Sequence, residues 1–316
     1  MTPDPPLRTV FFGTPEFAVA SLAALLDAGF AVPLVVTQPD RPVGRHAEAR
    51  PSAVGAFAAA RGLPVEKPER VRGNAGLAAR LAAESPDAIA VVAYGRIFPA
   101  ELLALPRLGC VNVHASLLPR HRGASPIQAA LLAGDLETGV ATMRMEEGLD
   151  TGPIYLERRV AIGARETAGE LSARLAALGG QLLVATLRGL GAGTLAARAQ
   201  AGEATSCRPI RREDGAIDWS REAAELVRRL RAFTPWPGLY TFLDGERVKV
   251  VDAREAPGGA SGEPGTFRLD GGELVATAGA GTALVLERLQ RAGRKPVTGA
   301  EFARAVALPG RFAGPR

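Results

Sequence analysis

Residues 8–38 read RTVFFGTPEFAVASLAALLDAGFAVPLVVTQ. A short apolar run from Arg8 to Gly13 gives way to alanine- and leucine-rich text from Pro15 to Gly29, and a second apolar run spans Ala31 to Gln38. Continuous apolar runs of strand length on either side of helical text read as β-α-β. The rhythm goes on with helical stretches at Ser52 to Gly62 and Gly73 to Ser85, then strand-like stretches at Asp87 to Gly95, Gly109 to Ser116 and Glu137 to Glu146, and a long helix from about Thr167 to Leu190. This alternation predicts an α/β fold, a Rossmann-like and mostly parallel sheet covered by helices. Its ligand crevice belongs at the carboxyl ends of the strands, near a switch in strand order.

After that helix the text GLGAGTLAARAQAGEATSCRPI, residues 189–210, is small and polar with little periodicity, and is expected to connect two domains. Beyond it, Ser220 to Phe233 has the pattern of one amphipathic helix, and short β-type runs spaced by Gly, Asp and Pro predict a smaller, OB-like β-barrel. The expected division is 1–190 for the sheet domain, 191–208 for the connection and 209–316 for the barrel.

The chain has 316 residues, 47% hydrophobic and 22% charged, which is the composition of folded domains rather than of disorder. No uncharged apolar stretch reaches the about 18 residues that a membrane helix needs, and the first ten residues lack the form of a signal peptide, so a cytoplasmic protein without membrane contact is expected. Cys110 and Cys207 lie too far apart in sequence to suggest a metal or redox pair, and no metal is expected. The net charge is +5, with 35 of the 38 basic residues arginine. A high-GC coding bias accounts for that, and so does contact with a polyanion. No heptad series or large apolar helix face urges association, so a monomer is expected.

Several chemistries are disfavoured by what is missing. One glycine in FFGTPEF stands where a dinucleotide-binding turn needs G-x-G-x-x-G, and there is neither a Walker loop nor H-E-x-x-H nor G-x-S-x-G. Residues 109–155 are richer, reading GCVNVHASLLPRHRGASPIQAALLAGDLETGVATMRMEEGLDTGPIY. Asn112 and His114 are two apart on a strand, so they emerge on one face. Asp150 lies in the later turn GLDTG and is the natural third member, since a carboxylate beside an imidazole orients it and stabilises its charged form. Taken singly, the Asn and His also read as ties between strand and loop, and the Asp as a turn former.

Taken together, NVHASLLPRHRGASPIQ and GLDTG resemble the signature of the methionyl-tRNA formyltransferase family, within the larger group of enzymes that use 10-formyltetrahydrofolate. TQPDRPVGR at 37–45, VVAYGRIFP at 91–99 and RAFTPWPGLYTFLDGERVKV at 231–250 extend the resemblance over nearly the whole chain. It implies a formyl transfer from 10-formyltetrahydrofolate to the α-amine of methionyl initiator tRNA, with Asn112, His114 and Asp150 catalytic. Folate is expected along Ser116, Leu117, Leu118 and Pro119 and near Val92, Ala93, Tyr94 and Gly95. Arg41 and Arg45 are expected to meet the tRNA, with 1–190 the catalytic, folate-binding domain and the C-terminal barrel a second tRNA contact. The loop after Arg45 departs from the family pattern, because HAEARP stands where many members carry lysines. The rivals are a formyltransferase acting on a small amine such as glycinamide ribonucleotide or a nucleotide-linked amino sugar, a hydrolase releasing formate, and an RNA-binding protein without catalysis.

Overall fold

The structure, a computed structural model, describes residues 6–43 and 48–314. The chain forms two compact units, the first comprising Met1–Pro126, Glu137–Ala161 and Ser172–Arg208, the second Ile127–Leu136, Ile162–Leu171 and Pro209–Arg316. In chain order the elements up to Cys207 are β1 (Thr9–Gly13), α1 (Glu16–Asp27), β2 (Val35–Val36), β3 (Arg41–Val43), β4 (Glu48–Arg50), α2 (Ala53–Ala60), β5 (Val65–Glu66), α3 (Ala75–Ala83), β6 (Ala88–Val92), α4 (Ala100–Leu103), β7 (Cys110–His114), β8 (Arg122–Gly123), α5 (Pro126–Ala133), β9 (Glu137–Arg144), β10 (Ile154–Ala161), α6 (Ala168–Gly191) and β11 (Ser206–Cys207). The remainder is α7 (Ala223–Ala232), β12 (Leu239–Leu243), β13 (Glu246–Glu255), β14 (Thr266–Asp270), β15 (Glu273–Thr277), β16 (Ala283–Arg291), β17 (Val297–Thr298), α8 (Gly299–Arg304) and β18 (Gly310–Arg311).

The first unit is built on a sheet in the order β10-β9-β7-β6-β1-β2-β5. The five strands from β7 to β5 run parallel, and β9 and β10 add an antiparallel edge. Thr9–Gly13 and Ala88–Val92 are buried at every position, as expected of parallel strands covered on both faces. Ser52 caps α2 by accepting the Gly55 N–H at 2.9 Å, and Asn74 caps α3 by accepting that of Leu77 at 3.0 Å, so each helix begins where its text predicts. On one face of the sheet Val10, Phe12, Ile89 and Val91 pack with Leu77 and Leu81 of α3. The Phe12 ring meets Tyr94 and Phe98 edge-on at centroid distances of 5.1 and 4.9 Å. The second strand is shorter than expected. Only Val35–Val36 pairs as β2, because Pro33 has no N–H to give the ladder, while Ala31 makes a single bridge to Arg8.

β1 is the switch point: the chain lays β2 on one side of it and β6 on the other, and sheets of this kind generally receive ligands between the loops that follow the two strands at such a point. From the loop after β2 the Gln38 side chain donates to the Tyr94 carbonyl, after β6, at 2.6 Å.

The second unit holds an antiparallel sheet in the order β12-β13-β16-β15-β14-β18, with β17 beside β16. Asp244 and Gly245 turn β12 into β13 with φ of 51° and 81°, the left-handed pair a two-residue hairpin prefers. Phe242 and Ala313 exchange backbone hydrogen bonds of 3.2 and 2.8 Å, which curls the sheet back onto its first strand as a barrel. Residues 127–136 and 162–171 cluster here although the sequence groups them with the sheet domain. The Arg231 side chain on α7 explains part of this, because it donates to the carbonyls of Glu166 at 2.9 Å and Gly163 at 2.8 Å. Among the described residues no helix is long and apolar enough to cross a membrane, and no three His, Cys, Asp or Glu residues cluster as metal ligands.

Candidate active site

Strand β7 passes from core to chemistry along one face. Cys110 is buried among the core residues, and burial pushes its thiol up to about 12. Asn112 follows half-buried, and then His114 at 5% exposure. The carboxamide of Asn112 has no hydrogen-bond partner among the described residues, which leaves its N–H groups available.

His114 is held by backbone. Its Nε2 lies 3.0 Å from the carbonyl oxygen of His121, and since a carbonyl only accepts, Nε2 carries the proton of that bond. Nδ1 faces Asp150, whose Oδ2 stands 3.6 Å away. That is beyond hydrogen-bond length. The same Oδ2 accepts the Gly123 N–H at 2.8 Å. The carboxylate therefore sits beside the imidazole, but the ring is oriented by the His121 carbonyl, a group with no signature in the side-chain sequence. The geometry leaves a position between Nδ1 and the carboxylate where a polar hydrogen can be received.

The two stretches expected to receive folate follow neighbouring parallel strands, with Val92 paired to Val113. Their side chains are differently disposed. Val92 and Tyr94 are buried, the Tyr94 ring in contact with Phe12 and Phe98, whereas Ala93 and Gly95 are exposed with φ of 48° and 76°. This loop therefore presents backbone and small residues. Ser116 is fully buried and donates to the Arg120 carbonyl at 2.6 Å. Leu118 packs with Ala141, Met143 and Ile154, Pro119 is buried, and Leu117 is half-buried. Ser116 to Pro119 thus build the inner framework of the loop between β7 and β8.

Arg41 is exposed on the β3-β4 ribbon and donates to the Gln38 side chain at 2.8 Å. Arg45 lies outside the described residues.

The sequence reading missed a strap. Residues 198–207, expected to connect domains, run across the first unit. Arg198 exchanges backbone bonds of 2.8 Å with Ile154, and β11 pairs with β8 in parallel. Thr205 Oγ1 accepts the His121 N–H at 2.9 Å. Cys207 is partly buried beside Asp150; burial and that carboxylate push its thiol up and outweigh the Ser125 N–H, which keeps it protonated rather than nucleophilic at neutral pH. A long polar string without periodicity gave no sign of these contacts.

A Rossmann-like sheet with Asn, His and Asp gathered at the end of its strands, followed by a small barrel, defines a formyl transferase: residues 7–187 match the Formyl transferase family and residues 209–307 match Formyl transferase, C-terminal domain. The chain belongs to that family, and within it to the methionyl-tRNA formyltransferases. It is 51% identical over 292 residues to the methionyl-tRNA formyltransferase of Anaeromyxobacter dehalogenans, covering 91% of this chain and 93% of that one. It is 46% identical over 300 residues to that of Aromatoleum aromaticum, covering 95% and 94%. Among solved structures, an N-formyltransferase from Helicobacter canadensis in complex with folinic acid and dTDP-3-aminofucose shares the fold at 18% identity, with a TM-score of 0.63 over 90% of this chain and 99% of that one. Glycinamide ribonucleotide transformylase 1 from Symbiobacterium toebii, at 23% identity and a TM-score of 0.52, covers only 62% of this chain and 95% of its own.

Proposed function

We propose that this formyltransferase moves the formyl group of 10-formyltetrahydrofolate onto the α-amine of methionyl initiator tRNA, and that Asn112, His114 and Asp150 carry the reaction. The observation that carries this reading is the meeting of the three: Asn112 and His114 on one face of β7, with the Asp150 carboxylate 3.6 Å from Nδ1 of His114. The similarity to methionyl-tRNA formyltransferases over more than nine-tenths of the chain supports the acceptor.

The amine attacks the formyl carbon and gives a tetrahedral intermediate. The unpartnered Asn112 amide donates to its oxygen. Because Nε2–H is committed to the His121 carbonyl, Nδ1 is the nitrogen that takes the proton from the attacking amine. Asp150 stabilises the imidazolium so formed. The proton then passes to N10 as the bond from the formyl carbon to N10 breaks, leaving N-formylmethionyl-tRNA and tetrahydrofolate. Folate lies along the crevice at the switch point, where Ala93 and Gly95 offer exposed backbone and the segment from Ser116 to Pro119 frames the other side. Arg41 and Arg45 meet the tRNA, with residues 1–190 the catalytic part and the barrel from 209 a second contact. From Pro209 on, 17 Lys or Arg stand against 14 Asp or Glu, so charge alone contributes little to that contact.

The test is His114→Ala. Transfer of labelled formyl to methionyl initiator tRNA should be abolished while equilibrium dialysis shows folate still bound; normal transfer by the variant removes His114 from the reaction.

A further inference from the structure

The strap offers one side chain whose every hydrogen-bonding position is used. Gln200 Nε2 donates to the carbonyl of Asp150 at 2.8 Å and to that of Gly152 at 2.7 Å. Its Oε1 accepts from Arg122 twice, from Nη2 at 2.7 Å and from Nε at 3.2 Å. Carbonyls only accept and a guanidinium only donates, so the amide has one possible orientation. The turn it grips places Asp150 at φ 52°, in the left-handed region that Asp enters more readily than most L-residues but still at some cost, so the two bonds from Gln200 help to hold it there. The other partner of Gln200 stands next to Gly123, whose N–H holds the Asp150 carboxylate. One amide thus ties the backbone of Asp150 to the segment that holds its side chain.

We propose that Gln200 is a positioning residue: it sets the place of the Asp150 carboxylate beside His114, and through it the strap 198–207 is part of the catalytic apparatus. This rests on the role given to Asp150 above. It predicts that losing the two donors of Gln200 harms turnover rather than substrate binding, since small misplacements of a reacting group cost about 10- to 100-fold in rate.

Gln200→Glu is the sharp variant. It keeps the size of the side chain and the acceptors for Arg122, but as a carboxylate it cannot donate to the Asp150 and Gly152 carbonyls. Gln200→Ala removes both halves. Both are assayed for formyl transfer beside the parent and Asp150→Asn, with rates normalised to folate-binding sites so that misfolded protein does not count. The expected result is a kcat about tenfold or more below the parent in both Gln200 variants, with the KM for each substrate within about twofold. A kcat within about twofold of the parent, or a loss confined to KM, while Asp150→Asn is inactive overturns the role of Gln200 alone. Normal turnover in Asp150→Asn overturns the reading of the site and this inference with it.

Discussion

The Asp150 carboxylate and the His114 imidazole are neighbours without a hydrogen bond between them: Oδ2 stands 3.6 Å from Nδ1 while it accepts the backbone N–H of Gly123 at 2.8 Å. The carboxylate is thus fixed by the main chain and acts on the ring by its charge. Asp150→Asn keeps the shape and an oxygen for Gly123 but removes that charge. Its kcat should fall about 100-fold or more with the KM for both substrates little changed. A kcat within a few-fold of the parent contradicts the charge's role.

Asn112 has a different task, since its amide is unpartnered and offers donors to an oxygen that becomes charged only during the reaction. Asn112→Ala should lower kcat by about 100-fold or more, the usual cost of losing one such donor. Asn112→Asp, which replaces a donor with a negative charge, should be at least as poor. An Asn112→Asp enzyme faster than Asn112→Ala is the outcome that contradicts oxyanion stabilisation.

The turn carrying Asp150 leaves no space at Gly152, where a Cβ would overlap the Arg144 carbonyl oxygen on β9. Gly29, after the end of α1, has φ 80°, but a Cβ there meets nothing within 4 Å. Gly29→Ala pays only for its left-handed backbone, about 1 to 2 kcal/mol, whereas Gly152→Ala has no such backbone cost but must displace a strand, and should lose more. Urea unfolding of the two variants checks the order. Equal losses would mean that the turn yields.

Stability should also depend on pH through Asp87. Burial raises its pKa, but the Arg8 N–H at 2.8 Å and the Arg107 guanidinium at 2.7 Å outweigh it and hold the carboxyl below its ordinary value in the folded protein. A group whose pKa is depressed on folding contributes stability above its unfolded pKa of about 3.9, and that contribution is lost as pH falls through the folded value. The parent should therefore be more stable than Asp87→Asn from neutral pH down to about 5, with the gap closing below about 4. A gap that persists unchanged at pH 3, read by denaturant unfolding, contradicts this assignment.

The parts of the fold that were legible are those whose signal is local. β1 and β6 are continuous apolar runs because they are buried on both faces, and Asp244-Gly245 marks its hairpin by the backbone angles it favours. The shared face of Asn112 and His114 follows from the period of two along a strand. What could not be read depends on groups distant in sequence or on the main chain. The His121 carbonyl and the Gly123 N–H carry no side-chain signature, and Gln200 lies 50 residues from Asp150 and 78 from Arg122. Tyr94 shows the converse. The resemblance of VVAYGRIFP puts it on the folate side, but Phe12 and Phe98 draw its ring into the core.

The most direct measurement gives the purified chain labelled 10-formyltetrahydrofolate in parallel reactions with methionyl initiator tRNA, glycinamide ribonucleotide, a nucleotide-linked amino sugar, or no acceptor. Label should accumulate as N-formylmethionyl-tRNA, with neither small amine formylated at a comparable rate and no formate released when the acceptor is omitted. Preferred formylation of a small amine, or formate production from water alone, would contradict transfer to the charged tRNA.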